Sequence, residues 1–438
     1  MTDDLGFKQA NTSTSGGGVA ETLSAQEERF EFWRNSVGLF LGPAVAIFLY
    51  LTPMPSLSPT AHTLAAIIGL VGVWWITEPI PIPMTAMLGA VLCVTFGIAD
   101  VKKVFAPFAD PIIQLFLGSF MLAEAMAVHK LDKRFAYAIM SMKAVGNSTG
   151  RILLAFGIIT GFLSMWISNT AATAMMFPIA LGIVYAMADI MARQTGKSVD
   201  PMKLRFGTGM MLMAAYAASA GGIGTPVGTP PNLIGIALIE KFCQVRIPFF
   251  QWMSFAVPLL MIQFVLLFIL MYYLHKPELT RIEGCREYVD QERLRLGGWS
   301  TGQKNALFAF LVTVTLWIIP GILAIVYGAT SNEVKTFSKY IPEGVAALIG
   351  ATLLFLLPVN WKEREFTLSW SQASKIDWGT LLLFGGGITL GNLMFETKLA
   401  EAVGKGLLGL SGASSMWGIT FGAIFISILV SETSSNTA

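Results

Sequence analysis

Gly161-Phe162-Leu163-Ser164-Met165-Trp166-Ile167-Ser168-Asn169-Thr170-Ala171-Ala172-Thr173 breaks the apolar stretch 152–192 with small polar side chains. In hydrocarbon, a freed backbone group costs several kcal/mol unless it lines a cavity or finds a partner. A re-entrant hairpin with its tip at Ser168 to Thr170 meets that demand, because its tip residues face water, ion or solute. The competing reading is one continuous helix whose hydroxyls bond back to their own carbonyls. A second copy of the triplet, Ser435-Asn436-Thr437, follows at an offset of 267 within another apolar stretch, 413–438.

The recurrence extends upstream. LFLGSFMLAEAMAVHKLDKRFA at 115–136 lies on LFGGGITLGNLMFETKLAEAVG at 383–404 at an offset of 268. Two similarities that share almost one spacing indicate an internal repeat. Five spans, beginning near 204, 248, 305, 341 and 378, separate the triplets. An odd number inverts one copy relative to the other across the membrane. Inverted repeats with broken helices at matching positions mark secondary transporters, whose sites lie at the repeat interface near the midplane.

A third interruption is Gly221-Gly222-Ile223-Gly224-Thr225-Pro226-Val227-Gly228-Thr229-Pro230-Pro231-Asn232. Four glycines and three prolines in twelve residues do not remain regular helix. A surface loop between short helices is the alternative. The apolar flanks Met210 to Ala220 and Leu233 to Ile239 favour an unwound transmembrane helix. Hydroxyls, an amide oxygen and unwound carbonyls are hard ligands for a small cation, and half-helix N-termini offer N–H groups to an anion. No Lys or Arg lies in either triplet or in the Gly-Pro segment, and Arg151 is the basic residue nearest the first triplet. A dianion bound without fixed positive charge needs cations beside it, a physical reason to expect symport.

The remaining sequence places these segments in a bilayer. Of 438 residues, 54% are hydrophobic and 13% charged, against roughly 25% charged for a soluble domain, which excludes a soluble enzyme. Net charge is +2 and basic residues are dispersed, so no nucleic-acid footprint exists. Cys93, Cys243 and Cys285 are too far apart in sequence for a zinc or disulfide framework and read as structural. Residues 1–34 are polar, with Asp3 and Asp4 where a signal peptide carries lysines. They read as a disordered tail and a surface helix around Glu27 to Arg34.

Spans are expected near 36–52, 62–77, 84–99, 111–128, 204–240, 248–274, 305–327, 341–358 and 378–395. With the N-terminus cytoplasmic, 21 of 29 Lys and Arg fall on the cytoplasmic side and 8 on the other, as the positive-inside rule requires. The domain organisation expected is a cytoplasmic tail and surface helix, 1–35, the first span with the first repeat, 36–275, a cytoplasmic linker, 276–304, and the second repeat, 305–438. Glu78, Glu124 and Glu432 are the intramembrane acids to weigh. Glu78 and Glu124 read as interfacial and Glu432 as structural, and His62, His129 and His275 fall near span ends.

With paired Ser-Asn-Thr triplets, the Gly228-Thr229-Pro230-Pro231-Asn232 stretch and the repeat in hand, the chain resembles the divalent anion/sodium symporter family, including the INDY-type dicarboxylate carriers. The likeness runs from about residue 36 to the end. It implies an all-α polytopic protein of the bacterial inner membrane, with inverted repeats, re-entrant hairpins and a broken transmembrane helix. It also implies a lipid-embedded homodimer that moves substrate by an elevator-like displacement. By the same resemblance one Na+ is held by Ser164, Ser168, Asn169 and Gly228, and a second by Ser431, Ser434 and Asn436. Substrate carboxylates then meet Ser168, Asn169, Thr170, Thr229, Ser435, Asn436 and Thr437.

The function expected is sodium-coupled symport of a C4 dicarboxylate such as succinate. A dicarboxylate exchanger or a sodium/sulfate carrier has much the same pattern. An anion channel needs a continuous polar path rather than two polar foci, and an intramembrane enzyme needs paired carboxylates or an activated nucleophile. The sequence stops at Ala438, just after the second triplet, whereas the repeat offset sets a second Gly-Pro break near residue 495. The expectation is that the polypeptide as written is partial and does not itself transport, so function refers to the intact protein.

Overall fold

The computed structural model describes residues 25–328, 330–411 and 415–433. They are almost wholly helical. The chain opens with α1 (Ala25–Leu51), α2 (Pro59–Thr77), α3 (Ile82–Thr95) and α4 (Val101–Phe105). The sequence reading separates a surface helix from the first span, yet α1 is continuous, because nothing from Ala25 to Gly42 breaks a helix and Pro43 is accommodated within it.

Next come α5 (Pro111–Val128), α6 (Leu131–Met140), α7 (Thr149–Ser164), α8 (Asn169–Thr195), α9 (Arg205–Gly222), α10 (Pro230–Cys243) and α11 (Phe249–Leu274). The mid-chain connection holds α12 (Cys285–Arg295). It leads to α13 (Thr301–Tyr327), α14 (Asn332–Tyr340) and α15 (Glu343–Leu356). A small antiparallel hairpin of β1 (Pro358–Asn360) and β2 (Glu365–Phe366) precedes α16 (Trp370–Ala373). The described chain closes with α17 (Trp378–Glu396), α18 (Leu399–Ser411) and α19 (Met416–Thr433).

Seven of the described helices are long and apolar enough to cross a bilayer, and α14 and α15, with a 49° bend between them, are so when counted as one broken span. Large apolar side chains such as Phe40, Phe48, Met261, Ile262 and Val265 stand exposed on them. On a water-soluble protein such surface would aggregate, whereas in lipid it is solvated. The chain is therefore a polytopic membrane protein.

Two compact units form. One holds the described residues up to Phe108 and those from Asp377 onward, and the other spans Ala109–Ile376. Within the first, Gly386 meets the backbone of Ala86, so α17 and α3 touch main chain to main chain. Thr389 Oγ1 donates to the Val104 carbonyl at 2.7 Å. Glu78 ends α2 in a left-handed conformation and pairs with Arg34 at 3.8 Å, a structural setting. His62 Nε2 bonds the Leu49 carbonyl at 2.7 Å.

In the second unit, α7, α8 and α9 share a core that includes Phe156, Ile159, Leu163, Met176, Ile179 and Met213. The mid-chain connection docks on it. Arg134 donates to the carbonyls of Leu296, Gly297 and Gly298 at 2.9–3.1 Å. Cys285 is buried there, and desolvation pushes its thiol up to about 12, so it stays an inert thiol.

Helix starts follow their caps, and the caps recur. Asp110 caps α5 and Asp377 caps α17, each through its carboxylate, at an offset of 267. Ser148 precedes α7 and Ser415 precedes α19 at the same offset.

Close helix approach in lipid relies on small residues. A Cβ added to Gly118 of α5 would lie 2.5–2.7 Å from Ala347 of α15, mostly against main chain. Gly118→Ala is expected to push α5 from α15 and cost about 1–3 kcal/mol, read as a lower thermal midpoint in detergent. Gly387→Ala, with open space around it, should leave the midpoint unchanged or raised.

Candidate functional site

The polar triplet breaks the chain where the sequence places it. α7 ends at Ser164 and α8 begins at Asn169, so the continuous-helix alternative is overturned. The last turn of α7 tightens, with Gly161 O taking the Met165 amide and Leu163 O taking those of Trp166 and Ile167. Ser168, in extended conformation, caps α8 by accepting from the Ala171 amide at 3.2 Å. The Ala172 amide goes to the Ser168 carbonyl. Only the first two amides of α8, those of Asn169 and Thr170, are left at the helix mouth.

The Gly-Pro segment unwinds between α9 and α10. Its turns are closed by Gly224 N to Gly221 O and Gly228 N to Thr225 O. Asn232, buried, staples both ends of the loop, its Nδ2 donating to Gly222 O and Thr225 O at 2.8 Å each. Thr225 Oγ1, also buried, donates to the Met165 carbonyl across the two breaks. Trp252 Nε1 of α11 donates to Ile223 O at 2.9 Å.

The two interruptions meet. Gly161 of α7 and Gly221 of α9 are so close that a Cβ on Gly221 would lie 2.1 Å from the Gly161 oxygen. A Cβ on Gly222 would lie 2.4 Å from Asn169 Oδ1. One on Gly228 would lie 2.5 Å from Gly222 O and 3.0 Å from Ser164 O. Ser164 Oγ donates to Asn169 Oδ1 at 2.7 Å. A hydroxyl, an amide oxygen and two carbonyls therefore gather around two glycines, and no other residue type fits at either. Every donor is neutral, a set of hard oxygens suited to an alkali ion and poor for a soft metal.

Burial is graded across the cluster. Ser164 and Gly228 are buried, Asn169 and Thr229 half-buried, and Ser168 and Thr170 exposed. Arg151 is engaged elsewhere, donating to Ala144 O from the first turn of α7, about 20 Å down the helix from Ser164. Thr229 sits at the start of α10 and does not cap it, which leaves its hydroxyl uncommitted to the helix. The sequence reading expects half-helix N-termini to offer N–H groups to an anion. Pro230 and Pro231 remove the first two donors of α10, so of these two described helix starts α8 is the one that presents them.

Ser164, Ser168, Asn169, Thr170, Gly228 and Thr229 are thus brought together. Ser431 lies exposed on α19. Ser434, Ser435, Asn436 and Thr437 lie outside the described residues. Thr225 and Asn232 were not singled out by sequence reasoning. The signal for Asn232 was its place directly after Pro230-Pro231, where an amide side chain reaches back over a turn it cannot continue.

The fold and these paired interruptions define a class, the polytopic membrane proteins whose apolar segments break at oxygen-lined sites. Residues 34–438 match the family described as the sodium:sulfate symporter transmembrane region, and the chain belongs to that family. It is 34% identical over 405 residues to the sodium-dependent dicarboxylate transporter SdcS of Staphylococcus saprophyticus, covering 92% of this chain and 75% of that protein. To SdcS of Staphylococcus aureus strain USA300 it is 32% identical with the same coverage. These relatives are transporters, and the chain is a transporter rather than an enzyme.

Asn232→Ala leaves the buried Gly222 and Thr225 carbonyls without their donor, at about 1–3 kcal/mol. The expected result is faster amide hydrogen exchange across 223–229, with exchange in the middle of α7 unchanged. Equal protection in the loop would mean that Asn232 is not its staple.

Proposed function

We propose that this protein is a secondary carrier that couples sodium entry to uptake of a divalent anion, a C4 dicarboxylate such as succinate. The observation that carries this reading is the cluster of neutral oxygens of Ser164, Asn169 and Gly222 packed around Gly228, beside the exposed mouth of α8. The relatives named as sodium-dependent dicarboxylate transporters support both the ion and the substrate class.

In this reading one Na+ is taken by Ser164, Ser168, Asn169 and Gly228, in the buried part of the cluster. To bind it, the Ser164 hydroxyl turns its proton away from Asn169 Oδ1, and both oxygens face the ion. A cation on Oδ1 leaves the Asn169 amide nitrogen as a donor for a carboxylate. The substrate then sits further out, on Ser168, Asn169, Thr170 and Thr229, with the Asn169 and Thr170 amides of α8 toward its negative charge. A second ion belongs to Ser431, Ser434 and Asn436, and the second carboxylate to Ser435, Asn436 and Thr437. Sodium is obligatory in this reading because the described part of the site has no positive side chain, so a dianion is held only once cations are in place.

The common offset of caps at Asp110 and Asp377 and at Ser148 and Ser415 supports inverted repeats. We assign the first to 36–275 and the second to 305–438, joined by the cytoplasmic linker 276–304 and preceded by the tail and surface segment 1–35. The carrier is placed in the bacterial inner membrane with a cytoplasmic N-terminus, as a homodimer working by elevator-like displacement.

The test is uptake of labelled succinate by proteoliposomes holding the complete protein. Replacing sodium by choline should lower the rate at least tenfold, and undiminished uptake would overturn the coupling. Excess sulfate should compete weakly; full competition would make the substrate an inorganic dianion. Asn169→Ala is expected to abolish sodium-driven uptake with folded protein retained. Gly228→Ala, which sets a methyl against Gly222 O and Ser164 O, should raise the sodium concentration for half-maximal uptake several-fold.

A further inference from the structure

Trp166 lies in the break, two residues after Ser164 and two before Ser168, and its ring does not enter the oxygen cluster. It docks among aromatics of other helices. The indole stacks on Phe249 of α11 with centroids 6.4 Å apart, and meets Phe310 of α13 edge-on at 5.1 Å. Phe249 in turn stacks on Trp317 of α13 at 4.5 Å, and both are buried. Trp317 is fixed by its own N–H, which donates to Glu343 O at 3.0 Å. Phe249 and Trp317 are therefore held by contacts of their own besides those with Trp166.

The indole N–H of Trp166 is buried and has no partner in the protein. It lines a cavity of about 10 Å³ with Ser119, Ala123 and Met126 of α5, Val227 of the Gly-Pro loop, and Phe310 and Trp317. That volume matches a single water. Ser119 Oγ spends its proton on Leu115 O at 2.7 Å, so its lone pairs are free to accept. The walls of the cavity thus bring the break and the Gly-Pro loop against α5 and α13.

We propose that Trp166 is a positioning residue that latches the cation-binding break onto α5, α11 and α13. The ring is seated in the Phe249/Phe310/Trp317 socket, and the N–H is joined to Ser119 Oγ through one water. Displacement of the break past α13 requires the indole to leave the socket, so the latch stabilises one of the carrier's alternating conformers. Because Trp166 is covalently between Ser164 and Ser168, the seated ring also sets their spacing. The consequence for transport rests on the function proposed above; the latch geometry is read independently of uptake.

The experiment uses the complete protein in proteoliposomes, with Cys93, Cys243 and Cys285 changed to Ser and the pair Ala123→Cys and Val227→Cys introduced. Both positions line the cavity, one on α5 and one on the Gly-Pro loop. A short bifunctional thiosulfonate should link them, and the link should cut succinate uptake at least tenfold, with recovery on reduction. Sodium plus succinate should change the linking rate, because the seated conformer is then depopulated. Trp166→Ala should slow linking threefold or more and remove its dependence on sodium and succinate. Trp166→Phe keeps a ring for the socket. With Ser119→Ala, it should change the linking rate by the same factor singly and together, since both act through one water. Linked protein that transports at the parent rate would overturn the latch, as would Trp166→Ala linking like the parent. Linking that responds to Trp166 in vesicles whose uptake ignores sodium would keep the latch and remove the coupling.

Discussion

Every feature of this site follows from one constraint: a backbone carbonyl in hydrocarbon must find a partner or line a cavity. Breaking α7 from α8 and α9 from α10 frees carbonyls at two places, and the chain brings the two places together. Asn232 serves Gly222 O and Thr225 O, Thr225 serves Met165 O, and Trp252 serves Ile223 O. Ser164 O is brought against Gly228, next to the hydroxyl and amide oxygens. The same unwinding that would be a defect in a plain span is tolerated here because neighbouring side chains satisfy most of the freed carbonyls.

Glycine is needed at 222 and 228 for a geometric reason rather than for flexibility. Neither adopts a left-handed conformation. What they provide is room, since a methyl group would sit on Asn169 Oδ1 at one position and on Gly222 O at the other. The neutral oxygens of Asn169, Gly222 and Ser164 can therefore crowd around these two positions. A carboxylate in their place would bind a cation without help from substrate, and the reason for coupling the two would weaken.

The first triplet, the Gly-Pro segment and the membrane class were legible in the sequence because each breaks a strong periodic signal. A polar triplet in an apolar run and three prolines in twelve residues have few structural alternatives in lipid. The residues that precede helices at Asp110 and Asp377, and at Ser148 and Ser415, share the 267-residue offset read in the sequence. What stayed hidden were contacts between segments distant in the chain. Thr225 reaches Met165 sixty residues away, and Trp166 meets Phe249, Phe310 and Trp317 from two other helices. Trp166 reads as ordinary packing until its unpaired N–H and its neighbours are seen together. The single helix from Ala25 to Leu51 was missed for the opposite reason. Its first ten residues are polar enough to suggest a separate surface element, yet no Gly or Pro separates them from the apolar part.

The two half-helix starts facing the site are chemically unequal, and the difference bears on how a dianion is oriented. α8 opens with Asn169 and Thr170, whose amides have no acceptor within the helix, whereas α10 opens with two prolines that have no amide to give. A helix start without N–H groups keeps its dipole but loses the directional bonds through which an anion is fixed. Under the proposed function, a carboxylate at this mouth would find its backbone donors on α8, with the Thr229 hydroxyl on the α10 side. Prolines at those positions also fix the backbone angle at the start of α10, so Thr229 is held extended at φ −150°, ψ 142° rather than drawn into the helix. One half-helix start offers backbone amides and the other a proline-fixed wall, and under the proposed function that division suits a planar carboxylate better than a spherical anion approaching both ends alike.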